Sequence, residues 1–167
     1  MKFFMRYNYL TCLLLLLLTG CGFHLRGMVD MPPWLDRVAI INQSEHRELE
    51  QLLAEQLQAY HVDVSSDPAS AHYWLFLQND SFQQQIASVS SSTTPRQYQL
   101  IYTVQFKLQQ AKGKEIIPSG QLVITRQLTV NSDRILGSDE EEAIIKREMR
   151  RDAALQMLYR LSRYQAS

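Results

Sequence analysis

Cysteine is nearly missing from this chain of 167 residues, with two copies, Cys12 and Cys21. A scaffold stapled by several disulfides is therefore excluded, and stability has to come from packing. Six glycines and five prolines are too few for a collagen-like or low-complexity chain. Charge of one sign is lacking as well. The 17 Lys and Arg stand against 17 Asp and Glu, so there is no basic field of the kind that holds nucleic acid without sequence preference. Nor does any apolar run reach the roughly 20 residues that a membrane-spanning helix needs.

Short chemistry-bearing motifs are missing too. The glycines beyond Gly20, at 22, 27, 113, 120 and 137, never form a dinucleotide fingerprint, and Gly113-Lys114-Glu115 lacks the spacing and the hydroxyl of a phosphate loop. His24, His46, His61 and His72 are scattered without a cysteine partner, so no metal site is expected. There is no G-x-S-x-G nucleophile elbow. The run Asp139 to Glu142 lacks the spacing of a calcium loop and reads as the solvated start of a helix. Nothing in the residues argues for an enzyme, and no cofactor is expected.

What is there is an apolar fraction of 46% with 10% aromatics, enough for the core of one ordinary domain and too much for a disordered chain. The first residues stand apart from that domain. Lys2 and Arg6 precede Leu10 to Leu18, an apolar run broken only by Thr11 and Cys12, which suits the h-region of a secretory signal. It ends in Leu18-Thr19-Gly20-Cys21, which resembles the lipobox of bacterial lipoproteins. The resemblance implies cleavage after Gly20 and lipidation of Cys21. Residues 1–20 are then a lipoprotein signal peptide, residues 21–36 a lipidated tether in which Pro32 and Pro33 exclude helix, and residues 37–167 the folded domain. Without the signal and its Lys2 and Arg6, 147 residues remain, with 15 basic and 17 acidic side chains. One acyl chain, at ~0.8 kcal/mol per buried CH₂, anchors only marginally; the multiply acylated cysteine that the resemblance implies would hold the protein on a membrane. Gly22 rather than Asp follows the cysteine, which by the same resemblance points to the outer membrane.

Arg37 to Asn42 contains Val38-Ala39-Ile40-Ile41, a continuous apolar run suited to a strand covered on both faces. Ser44 is a candidate N-cap for a helix in which Leu49, Leu52, Leu53, Leu57 and Tyr60 recur at helical spacing. After Val62 and Val64, Asp67-Pro68 breaks the chain, and His72 to Leu77 resumes as a strand. Strand, helix and strand suggest a crossover unit. Ser88 to Thr94 reads as a long hairpin loop. Beyond Pro95, Tyr98, Leu100, Tyr102, Val104, Phe106 and Leu108 alternate with Gln and Thr residues, with Ile101 as the exception, which sends one face to a core and the other to a polar surface. Lys112-Gly113-Lys114 gives a turn, and Pro118 fits only an edge or a bulge. Leu122, Ile124 and Leu128 continue the alternation to about Val130, and Arg126, on the apolar side, is expected to snorkel at the sheet margin rather than to fill a buried ion-pair or ligand role. Ser138-Asp139-Glu140-Glu141 reads as a capping box for a last helix striped by Ile145, Met149, Ala153, Met157, Leu161 and Tyr164. The elements predict a single α+β domain, a four-stranded mixed sheet with two helices packed on one face in the order β-α-β-β-β-α.

Directly after the lipobox, Cys21-Gly22-Phe23-His24-Leu25-Arg26-Gly27 resembles the C-G-[FW]-x-L-R opening of the LptE family, the lipopolysaccharide-assembly lipoproteins of the Gram-negative outer membrane. Gln97-Tyr98-Gln99-Leu100 and Ile144-Ile145-Lys146-Arg147-Glu148-Met149 resemble segments of that family's third strand and last helix, so the likeness covers the whole mature chain. It implies a non-enzymatic function. An LptE-like protein sits one-to-one in the lumen of the β-barrel LptD as plug and assembly factor, on a periplasmic-side lipid anchor, and the pair delivers lipopolysaccharide to the outer leaflet. The resemblance also implies contact with lipopolysaccharide through basic residues beside the loops before the third strand and after the fourth; the nearest here are Arg96 and Arg134. A sheet face carrying Gln99, Thr103, Gln105 and Thr125 suits the polar interior of a barrel. Two readings from other classes stand beside this one: a lipid-anchored periplasmic carrier with an apolar cavity for a single acyl ligand, and an anchored hydrolase with a clustered acid-base pair.

Overall fold

The computed structural model describes residues 30–89, 95–129 and 135–164. Within them lie β1 (Arg37–Asn42), α1 (Glu48–Ala59), β2 (Asp63–Val64), a 3₁₀ turn (Pro68–Ser70), β3 (Tyr73–Val89), β4 (Pro95–Gln110), β5 (Glu115–Thr129) and α2 (Ile135–Arg163). The strands form one sheet in the order β2-β1-β3-β4-β5. β1 runs parallel to β2 and β3, and β3, β4 and β5 are antiparallel. The α+β class and the two helices on a mixed sheet are as the sequence predicts; the strand number is not. Asp63 and Val64 pair with Arg37 and Val38 as a fifth strand, and two residues are too short to show a periodicity.

The alternation along β4 decides where the core sits. Leu100, Tyr102, Val104, Phe106 and Leu108 are at most 1% exposed, beneath Leu49, Leu53 and Leu57 of α1 and Met149, Ala153, Met157 and Leu161 of α2. Each such leucine contributes roughly 1.5–3 kcal/mol relative to exposure. β3 departs from what its sequence suggests. It runs to Val89 rather than stopping at Leu77, and its register slips between Leu77 and Asn79. A one-residue bulge reverses which parity points inward, so Leu75 and Leu77 are followed on the inner face by Asp80 and Phe82. β5 starts at Glu115, and its register breaks around Pro118, between Ile117 and Gly120. Gly113, at φ 90°, takes the left-handed position that the β4–β5 turn requires. The expected hairpin loop is shortened, since β3 ends at Val89 and β4 begins at Pro95.

Two helix starts also differ from expectation. Ser44 does not cap α1; its N–H and its Oγ both donate to Asn42 Oδ1, at 2.8 and 2.7 Å, and α1 begins after Arg47 with no side-chain cap. α2 begins at Ile135, which places Ser138 inside the helix. A single glycine, Gly137, costs only about 1 kcal/mol within a helix and does not end it. The end of α1 is firmly closed: the N–H groups of His61 and Val62 donate to the carbonyls of Gln58 and Leu57, with His61 at φ 64°, as in a Schellman cap.

Packing begins ahead of β1, within the stretch expected to be tether. Leu35 is 2% exposed, and Trp34 sets its ring edge-on to Tyr73 and Tyr164, with centroids 5.2 and 6.1 Å away. The chain therefore enters beside the start of β3. The other end of β3 lies 17 residues on, about 55 Å away at ~3.3 Å per residue.

Candidate functional site

The face of the sheet turned away from the helices is laid out in cross-strand rows. Gln85, Gln99 and Gln127 form one; Gln83, Ile101 and Thr125 the next; Ser81, Thr103 and Val123 the third; Asn79, Gln105 and Gln121 the fourth. The structure thus brings Gln99, Thr103, Gln105 and Thr125 together on one surface. Twelve positions hold no charge. The first cation on this face is Lys107, beyond the fourth row, with its Nζ 4.7 Å from the centre of the Phe76 ring. Glutamine and asparagine side chains both donate and accept, so such a surface can meet a polar wall without stripping water from an ion.

The inner face holds one group that sequence reasoning missed. Asp80 is 6% exposed, carried into the core by the bulge. Neither carboxyl oxygen has a hydrogen-bond partner among the described residues, and the same holds for Tyr102 Oη and Arg150 Nε beside it. Burial pushes the Asp80 carboxyl above its ordinary pKa, against the opposing influence of the Tyr102 hydroxyl and then the charges of Arg150 and His46. Tyr102 is pushed up in turn, by burial first and by the Asp80 charge second. Phe82 closes the cluster: it stacks on Tyr102 at 4.3 Å and lies beneath the Arg150 guanidinium at 4.9 Å. The signal that could have found Asp80 is an acid lying between Leu77 and Phe82 in a stretch with no turn-forming glycine or proline.

Two open grooves flank the core. One, of about 450 Å³, separates α1 from α2 and is lined by Glu48, Leu52, Glu55, Lys146, Arg147 and Arg150. Two of its three cations are paired in place, Arg150 with Glu48 at 3.8 Å and Lys146 with Glu142 at 2.6 Å. The other, of about 600 Å³, lies where the chain enters, lined by Trp34, Asp36, His72, Tyr73 and Lys112 among others. There the bond to His72, at 2.9 Å, holds the Asp36 carboxyl below the ordinary range. Among the described residues no group of three or more His, Cys, Asp or Glu could hold a metal, and no helix is long and apolar enough to cross a membrane. Arg126 reaches the half-exposed margin of the sheet and there pairs with Asp152 of α2, also half-exposed; the pair is not the buried one set against snorkelling, and the helix above the sheet offers a partner that the strand pattern cannot reveal.

The family model of LptE, described as lipopolysaccharide-assembly, matches residues 35–161, from the first buried leucine ahead of β1 to the last buried leucine of α2. This chain belongs to the LptE family. The LPS-assembly lipoprotein LptE of Pectobacterium atrosepticum is 27% identical over 161 residues, which cover 94% of this chain and 86% of that one. The LptE of Yersinia enterocolitica is 29% identical over 161 residues, 94% of this chain and 77% of its own. Among solved structures, an uncharacterized lipoprotein B from Nitrosomonas europaea superposes with a TM-score of 0.71 at 24% identity, covering 84% of this chain and 90% of that one. A minor lipoprotein from Acinetobacter baumannii gives 0.65 at 21% identity, covering 78% and 93%. At these identities the two structures show the LptE-like fold alone. Of the residues singled out from the sequence, Arg96 is the second residue of β4, while Cys21 and Arg134 lie outside the described residues.

Proposed function

We propose that this member of the LptE family is a non-enzymatic outer-membrane lipoprotein, anchored through Cys21, which plugs an LptD-like β-barrel one-to-one, assists its assembly and so serves the delivery of lipopolysaccharide to the outer leaflet. The observation that carries this reading is the sheet face of four rows without a charge. A solvated surface has no reason to avoid Lys and Glu, whereas a surface docked against the polar lumen of a barrel does, because an ion buried without a partner costs several kcal/mol or more. The length of the molecule supports it as well. A sheet about 55 Å long at ~3.3 Å per residue exceeds the ~30 Å hydrocarbon core of a bilayer. With the chain entering beside Tyr73, the stretch from Cys21 to Asp30 reaches at most roughly 30 Å, so the entry end stays near the leaflet that holds the lipid.

The far end, at the loops before β4 and after β5, is then the site for lipopolysaccharide, with Arg96 and Arg134 meeting phosphate groups by charge-assisted hydrogen bonds. The test is purification of the full-length protein from native outer membranes in mild detergent, with mass identification of whatever stays bound in stoichiometric amount. A large barrel protein at one-to-one is expected. A monomer carrying one lipid per chain would overturn the plug reading in favour of a periplasmic carrier.

A further inference from the structure

We propose that the free edge of β5 takes up an extended segment of the barrel partner as a sixth strand, an inference that rests on the plug reading and assigns a second contact to it. The edge follows from hydrogen-bond parity. Gln110 N–H donates to the Lys114 carbonyl across the turn at 2.8 Å, whereas Ala111 N–H donates the other way, to His72, at 2.9 Å. Even-numbered residues of β4 therefore turn their backbone groups to β5 and odd-numbered ones to β3. The register pairs Val104 with Leu122, Tyr102 with Ile124 and Leu100 with Arg126, so the even residues of β5 bond to β4. Gln121, Val123, Thr125 and Gln127 present N–H and C=O to the edge, where no strand lies among the described residues. Two side-chain bonds agree with this parity: Arg160 Nη2 donates to the Gln121 carbonyl and Arg126 Nη1 to that of Thr125, each at 3.3 Å. Bonds of that length are weak and displaceable, and a guanidinium over an open edge is a known way of blunting it.

The edge also has a roof. Asp152 of α2 holds Arg126 and Arg160 holds Gln121, so the side of α2 between those residues runs along β5. Leu155 and Tyr159 stand on that side at helical spacing, 41% and 56% exposed, and form with Gln156 and Arg160 an open recess of about 340 Å³. On the opposite face the uncharged rows end at β5. Only a polypeptide in extended conformation supplies a matching line of donors and acceptors. This one would carry apolar side chains toward Leu155 and Tyr159 and uncharged polar ones on the other face. A second copy of this chain fits worse: antiparallel self-pairing about Ile124 would set Arg126 of one copy beside Arg160 of the other, like charge against like.

Residue-resolved amide hydrogen exchange tests this, on the full mature chain alone and on the complex purified with its barrel. In the free chain the amides of Gln121, Val123, Thr125 and Gln127 exchange fast and those of Leu122 and Ile124 slowly; in the complex the first four slow by at least about tenfold. Val123→Pro, which deletes an edge donor without touching the β4 ladder, weakens the complex more than Val123→Ala, which shortens the same side chain on the sheet face but keeps the donor. A complex in which the four amides exchange as fast as in the free chain overturns the sixth strand and leaves the plug reading standing. Absence of any barrel complex overturns both. Four amides already slow in the free chain overturn the inference as well, in favour of a second copy if the protection depends on concentration and of this chain covering its own edge if it does not.

Discussion

On β4, neighbouring residues of one strand meet opposite requirements. Toward the helices, Leu100, Tyr102, Val104, Phe106 and Leu108 are sealed to 1% exposure or less; away from them, Gln99, Ile101, Thr103 and Gln105 are half-covered by their own neighbours and face outward. The inner face is explained by packing alone. The outer face is not, and the helices supply the control. Exposed positions of α2 carry Glu140, Glu141, Arg147, Glu148 and Arg151, so the chain uses charge freely where it meets solvent. The sheet face that lacks charge over four rows is therefore a surface of another kind, and the difference between two exposed surfaces of one domain says more than the polarity of either.

The comparison can be broken by substitution on either side. Leu100→Ala should lower stability by about 2–5 kcal/mol, read as a shift in the urea midpoint at constant slope, while its neighbour Gln99→Ala should stay within about 0.5 kcal/mol of the parent. Equal losses would mean that the outer face also takes part in holding the fold. Asp80→Asn should have a smaller effect of opposite sign. Burial raises the Asp80 carboxyl above its ordinary value of 3.8, so between 3.8 and the raised value the folded state holds a proton that the unfolded state has released. Stability then falls as pH rises through the raised value and is regained as pH falls back toward 3.8. The asparagine variant should be more stable than the parent at neutral pH and should show a flatter profile of thermal midpoint against pH; a less stable variant would mean that the ionised carboxylate has a native partner. Smallest of the three, Asp152→Ala should cost about 0.2–1 kcal/mol, because both members of its pair with Arg126 are half-exposed and screened. A larger loss would give the clamp between α2 and β5 a structural weight that its exposure does not suggest.

The parts of this fold that could be read from the sequence are those in which a period repeats. The alternation from Tyr98 to Leu108 and the apolar stripes of both helices place the core and the two exposed surfaces correctly, and with them the shared face of Gln99, Thr103, Gln105 and Thr125. What escaped reading lacks a repeat. The two residues of β2 are too few, and α2 passes through a capping box because nothing upstream of it stops a helix. The bulge at Gln78 changes the parity of β3 in the middle of a polar stretch, Gln78 to Ser81, where neither parity is apolar; an acid between Leu77 and Phe82 signals a carboxyl within a strand, but its inward turn is fixed by the register with β4. The Arg126–Asp152 pair joins residues 26 apart on elements whose relative placement no local pattern fixes.

The central claim is that the uncharged sheet face is a contact surface, and the most direct measurement is recovery of the proposed one-to-one barrel complex with a chain carrying Thr103→Glu and Gln105→Glu. Both side chains point out of the sheet, so circular dichroism and the urea midpoint should match those of the parent. The account predicts that this folded variant no longer co-purifies with the barrel from native outer membranes. A folded variant recovered at the parental ratio would contradict it, and would move the contact from the sheet face to the edge of β5 or to the helices.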